Sequence, residues 1–346
     1  MSRAGQAKLG LALIVLAISL WLTGLELQRR WNTPLAIPAG GYHLNIPPGS
    51  TLGSVTARLE EQGIIPYPRL LLFYGRWSGM DKKIKQGEYI LPQYLSVKPL
   101  LILLSEGKVI QYQLTLPEGI TLARALEVLA GESSLERILS GPDDARILDL
   151  IAPHSEGEGL FFPDSYHYVR GTTDWQILQR SYHRMQTILT QEWSSKAPGL
   201  PIESPYEALI LASIIERETG QPAERAEISG VFTRRLQKRM RLQTDPAVIY
   251  GLGDSFTGNL RRVHLKDESN PYNTYRHHGL PPTPIALPGR EAIHAALNPA
   301  EGDTLFFVAR GDGGHEFSAT LQDHEKAVRK YQLQRRADYR SNPERQ

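Results

Sequence analysis

Ser204-Pro-Tyr-Glu-Ala-Leu-Ile-Leu-Ala-Ser-Ile-Ile-Glu-Arg-Glu-Thr-Gly220 reads as one helix with marked ends. Ser204 suits an N-cap, Pro205 the first helical position, and Glu207 the third residue of a capping box. Gly220 is the expected left-handed stop. Between them Ala208, Leu209, Ile210, Leu211, Ala212, Ile214 and Ile215 are apolar nearly all round, which predicts a buried helix. Its last turn nevertheless holds Glu216 and Glu218. At about 100° per residue these point roughly 200° apart, so they cannot act together on one bond. One is expected to meet solvent or a basic partner and the other to enter a cleft.

Glu218 is the better candidate for chemistry, because it follows the line of Leu211 and Ile214. The negative end of the helix dipole and apolar neighbours would both disfavour its ionisation. A carboxyl held protonated near neutral pH is what a general acid requires. The competing reading is that both glutamates are surface groups.

Working outward, the 346 residues suffice for two or three domains, with 41% apolar and 22% charged residues. A net charge of +2 provides no broad footprint for nucleic acid. The absence of cysteine excludes disulfides, thiolate metal sites and cysteine nucleophiles, and fits an oxidising compartment. Leu9 to Leu25 is uncharged and rich in Leu, Ile, Val and Ala, at the short end for a membrane span. Arg3 and Lys8 precede it; Glu26, Arg29 and Arg30 follow. We read an uncleaved anchor with the amino terminus in the cytoplasm and the bulk outside. A cleaved signal peptide and a buried soluble helix are the alternatives.

After a Pro- and Gly-containing linker to Gly41, a strand–turn–helix pattern recurs. Tyr42 to Ile46 alternates, Pro47-Pro-Gly49 turns, and a helix runs from Ser50-Thr-Leu52 to Gln62 with a stop at Gly63. Tyr112 to Leu116, Pro117-Glu-Gly119 and a helix from Ile120 with a stop at Gly131 repeat it. A looser copy runs from Glu88 to a stop at Gly107. Such repeats predict small α+β modules with helices on a short sheet, serving binding or spacing. A short helix over Arg146 to Ile151 and an aromatic run, Glu156 to Tyr168, come next. Aromatics at that density are commonly core, though exposed rings beside Pro163-Asp164 would suit sugar stacking. Thr173 to Trp193 reads as an amphipathic helix.

Past Gly220, a helix is expected from Pro222 to about Met240, with a basic run of Arg234, Arg235, Lys238, Arg239 and Arg241. Such a run is usually a solvated face, and otherwise attracts anionic polymer or lipid. Gly279 to Gly289, rich in proline, must be a loop of fixed path, and such loops commonly line sites. Arg290 to Leu297 reads as a helix, Thr304 to Ala309 as a buried strand, Asp312-Gly-Gly314 as a hairpin turn before Glu316-Phe-Ser318, and Leu321 to Tyr339 as a final helix.

No Gly-x-Ser-x-Gly and no phosphate-cradling loop is present. No metal site is expected, since His277, His278, His315 and His324 lack carboxylates at ligand spacing. What remains is Glu218, Gln243, Asp245, Tyr250, Tyr272, Asn273 and Tyr275, a set suited to an amidosugar polymer. Rings would stack on sugars and amides would bind acetamido groups.

Ala212-Ser-Ile-Ile-Glu-Arg-Glu-Thr219, Met240 to Gly251, Tyr272-Asn-Thr-Tyr275 and Gly279-Leu-Pro-Pro282 together resemble the endolytic murein transglycosylases, the MltG (YceG-like) family. Glu158-Gly-Leu-Phe-Phe-Pro-Asp-Ser-Tyr166 and Gly313-Gly-His-Glu-Phe317 match as well. Thr283 and Ala286-Leu287 depart from the family's usual glycine and asparagine. The resemblance implies an α+β protein laid out as a cytoplasmic tail (1–8), a transmembrane anchor (9–25), a linker (26–41), a LysM-like α+β region (42–110) and a catalytic domain (111–346). It implies a cofactor-free lyase, single-pass in the cell inner membrane with its catalytic domain in the periplasm. Its partners would be peptidoglycan glycan strands and peptidoglycan synthases (penicillin-binding proteins), and its role the ending of glycan elongation. The second glutamate of Glu-Arg-Glu-Thr, Glu218, would be catalytic. Gln243, Asn273 and Tyr275 would orient the acetamido group or stabilise positive charge, and Asp245 and Tyr272 would complete the substrate-binding set. One carboxyl suffices for such a lyase, because the muramyl C6 hydroxyl is the nucleophile and a 1,6-anhydro end results. The alternatives are a hydrolytic muramidase using Asp245 or Asp164 as a second acid, and a non-catalytic glycan-binding scaffold.

Overall fold

A computed structural model describes residues 3–333; the start of the expected tail and the end of the expected final helix lie outside the described residues. Helix α1 (Arg3–Asn32) carries the uncharged run and continues past it, with Glu26 and Arg30 paired at 2.8 Å one turn apart. Leu11, Leu13, Ile14, Leu20 and Trp21 are exposed, so the buried-helix alternative fails. Gly10–Asn32 is long and apolar enough to cross a membrane, compatible with a single-pass anchor.

The chain divides into two compact units, one of residues 1–112 with 134–136 and 167–172, the other of 113–133, 137–166 and 173–346. In the first, β1 (Tyr42–Ile46), α2 (Leu52–Glu61), α3 (Pro68–Ser78), β2 (Gly87–Leu91) and α4 (Val97–Glu106) follow α1. Strands β1 and β2 are antiparallel, with Leu44 opposite Tyr89 and Tyr42 opposite Leu91. Alternation turns Leu44, Ile46, Tyr89 and Leu91 inward onto Leu52, Leu59, Leu71, Leu100 and Leu104. Thr51 and Ser54 form a reciprocal capping box at α2, and Gly107 ends α4 in the left-handed conformation. Helix α3 was not expected; its only start signal is Pro68 at the first turn.

The second unit holds β3 (Tyr112–Thr115) from Gln113 on, α5 (Leu122–Gly131), α6 (Ala145–Ile151), β4 (Ser165–Tyr168) as far as Tyr166, and α7 (Asp174–Ser194). Next come α8 (Pro205–Glu218), α9 (Arg225–Gln237), α10 (Asp245–Leu252), α11 (Arg262–Lys266), α12 (Arg290–Leu297), β5 (Phe306–Ala309), β6 (His315–Ser318) and α13 (Leu321–Val328). The architecture is mixed α+β. Strand β3 pairs with β4 and β5 with β6, so the three strand–turn–helix copies do not share one sheet, contrary to expectation. Local turn chemistry repeats along the chain, but strand partners are chosen by the core each strand helps to cover.

Helix α8 is buried from Ala208 to Glu216, with α7, α9, α10 and α12 packed around it. Both of its ends differ from the expected motifs. Ser204 caps the Glu207 amide at 3.2 Å, but the Glu207 carboxylate turns back to the Glu203 amide at 2.6 Å, leaving the capping box incomplete. At the other end Thr219 is extended and Gly220 is not left-handed. The Thr219 hydroxyl accepts the Gln221 amide at 2.9 Å, and a turn over Pro222–Glu224 redirects the chain before α9. A polar side chain thus replaces the glycine stop.

Two further expectations change on folding. Leu160, Phe161, Phe162, Tyr166 and Tyr168 are buried, so this aromatic run is core and not a sugar platform. The 279–289 loop does follow a fixed path, but through the interior. Ile285 donates to Ser213 Oγ at 3.0 Å, Leu287 to the Ile120 carbonyl at 2.8 Å, and Gly289 to Glu216 Oε2 at 3.2 Å. Gly159, at φ +76°, packs its bare Cα against Pro284 of this loop, where a Cβ would come within 2.3 Å of the proline Cβ and 2.5 Å of its Cγ. Gly159→Ala is therefore expected to cost at least about 1–2 kcal/mol. Thermal denaturation would register this as a clear drop in Tm; an unchanged Tm would contradict the contact.

Candidate active site

Glu216 and Glu218 leave α8 in different directions, and their surroundings separate them. The Glu216 carboxylate is buried, takes the Gly289 amide, and faces the Arg225 guanidinium at 3.5 Å. This is the basic partner expected for one of the pair. Glu218 instead lines an open cavity of about 770 Å³, within the size range of ligand clefts, together with Arg217, Arg235, Gln243, Asp245 and Tyr275. Loss of hydration there, with the Asp245 charge nearby, pushes Glu218 up to about 7. The buried Thr244 hydroxyl, a larger influence than Asp245, and the Arg235 charge act in the other direction.

Each neighbour is set by its own element. Thr244 ends the loop before α10, and its amide donates to Thr274 Oγ1 at 2.9 Å. Gln243 sits at φ +55°, a left-handed conformation that costs a non-glycine residue about 1 kcal/mol or more. It is held there by its amide on the Thr274 carbonyl at 3.2 Å and by Arg235 on its side-chain oxygen at 3.3 Å. Asp245 opens α10 and accepts the Tyr275 hydroxyl at 2.7 Å. Burial raises the Tyr275 phenol well above its ordinary value, so it remains a donor.

Three of the expected residues, Tyr250, Tyr272 and Asn273, lie outside this cavity. Asn273 is fully buried; its Nδ2 donates to the carbonyls of His264 (3.1 Å) and Asp267 (2.6 Å), and its Oδ1 accepts the Tyr275 amide at 3.1 Å. It staples the loop that presents Tyr275. The Tyr272 hydroxyl bonds Thr283 at 2.8 Å, and its ring meets Tyr250 edge-on. Tyr250 in turn donates to Glu158 at 3.4 Å. Glu158, pushed up to about 7 by burial, takes the Leu122 amide at the start of α5 at 3.0 Å. Asp164 pairs with Arg184 at 2.7 Å and does not line the cavity.

The cavity also includes residues that the sequence did not bring to attention. Arg235 is buried, with Nε on the Leu305 carbonyl and Nη1 on that of Leu242, at 2.7 and 2.8 Å. Arg234 likewise binds the Thr304 and Ala300 carbonyls, so these two leave the expected solvated face. Nothing in a basic run marks which of its members turn inward. His315, on β6, reaches the cavity with Nδ1 at 2.8 Å from Glu224, which fixes Nε2 as its other pole. Its signal lies in the Gly313-Gly-His-Glu-Phe317 run, which carries the family resemblance but by itself assigns His315 no role. His324 and Phe307 complete that wall.

The buried central helix of this α+β unit thus delivers a protonatable glutamate into an open polar cleft. Residues 44–330 match the YceG-like family, and the chain belongs to that family. It is 28% identical over 309 residues to an endolytic murein transglycosylase of Bacillus subtilis, with 84% of each chain covered. An endolytic murein transglycosylase of Streptococcus pneumoniae is 28% identical over 319 residues, covering 82% of this chain and 57% of that one. The crystal structure of a YceG-like protein from Listeria monocytogenes is similar at a TM-score of 0.53 and 28% identity, covering 82% of this chain and 98% of that one.

Proposed function

We propose that this protein is an endolytic peptidoglycan lytic transglycosylase, with Glu218 as its acid and then its base. The observation that carries this is the Glu218 carboxyl, raised to about 7, at the end of a buried helix in an open polar cavity of a YceG-like chain. Protonated Glu218 gives its proton to the glycosidic oxygen as the bond from muramyl C1 breaks. The muramyl C6 hydroxyl then attacks C1 and its proton returns to the carboxylate. No water is consumed, and intramolecular attack supplies the high effective concentration. Tyr275, Gln243 and Asp245 are the substrate contacts we favour; Asn273 acts through Tyr275, and Tyr272 lies further out.

We assign 9–25 as an inner-membrane anchor, 42–110 as the LysM-like region and 111–346 as the catalytic domain facing the periplasm. An enzyme so tethered would cut nascent strands close to the synthases that make them and so end their elongation. Asp245 gives one concrete alternative, since it shares the cavity and could activate water for hydrolysis. Its bond to Tyr275 argues for a positioning role instead.

Mass spectrometry of fragments from uncrosslinked peptidoglycan separates these readings. Wild-type enzyme is expected to yield ends one water lighter than hydrolysis products. Full-mass reducing ends would establish the hydrolase, and binding without cleavage would establish the scaffold.

A further inference from the structure

Pro68-Arg-Leu-Leu-Leu-Phe-Tyr-Gly-Arg-Trp-Ser78, helix α3, buries Leu71 and Gly75 against the first unit's core. Its opposite face is unusual for a protein surface. Phe73 and Trp77, one turn apart, are 69% and 76% exposed. Arg69 and Arg76 flank them, also exposed, and neither has an acidic partner among the described residues. Lys82 and Lys83 follow in the next turn, so 68–83 carries Asp81 as its only carboxylate. Large rings between unpaired cations suit the boundary of a bilayer, where rings enter the acyl edge and guanidinium groups meet phosphate.

The position of this face relative to α1 decides what covers it. Trp31, at the end of α1, packs edge-on against Tyr74 with centroids 4.4 Å apart. The Arg30 guanidinium lies over the Tyr67 ring at 5.0 Å. Leu27 and Arg30 line one apolar crevice with Tyr67, Arg69 and Phe73. Leu27 is only two residues, roughly 3 Å of helix rise, beyond the last residue of the uncharged run. Phe73 therefore stands at the depth where α1 leaves the hydrocarbon.

We propose that the Arg69, Phe73, Arg76 and Trp77 face of α3 is a second membrane contact, docked on anionic phospholipid headgroups of the leaflet from which α1 emerges. This rests on reading α1 as membrane-spanning. It makes the β1–α2–α3–β2 unit a body seated on the bilayer, held by the anchor and by α3.

The test uses the full-length chain, whose lack of cysteine allows single nitroxide labels, in nanodiscs of phosphatidylcholine and phosphatidylglycerol. Labels replace Phe73 or Trp77, with Leu16→Cys as the deep reference and Tyr94→Cys, 75% exposed in the same unit, as the aqueous one. Collision rates with oxygen and a nickel chelate are expected to place 73 and 77 between the references, several-fold less open to nickel than 94. Arg69→Glu with Arg76→Glu, or discs of phosphatidylcholine alone, should move them toward the aqueous reference. Labels at 73 and 77 that match Tyr94→Cys while Leu16→Cys reads deep would overturn the contact and leave the anchor standing. A Leu16→Cys label in water would remove the anchor, and the proposal with it. Protection from both reagents would mean a protein surface covers the face, which also overturns it. Because each label replaces an anchoring ring, native side chains supply a second reading. Lipids brominated near the headgroup end should quench wild-type tryptophan fluorescence more than that of Trp77→Ala; equal quenching counts against docking.

Discussion

Glu218→Gln will abolish glycan cleavage while leaving a folded and, above neutral pH, a more stable protein. The amide keeps the volume and polarity of the side chain but can neither release a proton to the glycosidic oxygen nor take one back. Removing a general acid costs on the order of 10²–10⁴-fold, and more when the same group must also act as base. The stability effect has a definite sign. A carboxyl raised to about 7 in the folded state, against 4.5 as its ordinary value, binds its proton more tightly when folded. Its contribution is therefore fully favourable below about 4.5 and is lost as pH rises toward 7. Above that range wild-type protein carries a poorly solvated charge that Glu218→Gln lacks. Allowing for the solvent admitted by an open cavity, the variant should gain about 1–2 kcal/mol at pH 8 and nothing at pH 4.5. Urea titrations at the two pH values measure this directly. Wild-type activity should fall as pH rises through about 7, and full activity at pH 9 would rule out a protonated resting state.

Glu216→Ala, two residues earlier, should do the reverse and unfold the protein. Its carboxylate is wholly buried between the Gly289 amide and Arg225, whose guanidinium also reaches Glu291 at 2.6 Å and Glu118 at 3.7 Å. Deleting Glu216 leaves a buried cation short of a partner, a buried amide without an acceptor, and a void beside α12. Breaking a buried pair in this way costs about 3–5 kcal/mol, a large share of the stability of most domains. Expression in soluble form and the urea midpoint are the readouts. Arg225→Met in the same chain should restore part of the loss, since it removes the stranded charge. A Glu216→Ala protein with an unshifted midpoint would show that the pair does little for the fold.

The contrast between these neighbours shows how far the sequence could be read. Local chemistry was legible. The helix from Pro205, the strands around Leu44 and Tyr89, the helix opening near Thr51 and the amphipathic helix after Thr173 all follow from spacing and end residues. Glu218 stands out as a candidate from the helix face alone, because a carboxylate in line with buried leucine and isoleucine has few places to go. The motifs that carried the YceG-like resemblance were also visible.

Arrangements that depend on where distant segments meet were not legible. Asn273 and Tyr275 sit two residues apart in one motif, yet one is a buried staple and the other lines the cavity. Arg234 and Arg235 belong to a run that looks solvated, and turn inward onto the carbonyls of Ala300, Leu305 and Leu242. The proline-rich loop was legible as a fixed path, but not that Ser213 and Glu216 would draw its amides into the interior. From the sequence alone came the elements, their ends, the long apolar N-terminal segment and Glu218 as the candidate acid. The tertiary structure decided which polar groups surround that acid and which merely hold the frame, because a hydrogen-bond partner or a desolvating neighbour from a hundred residues away leaves no periodic trace.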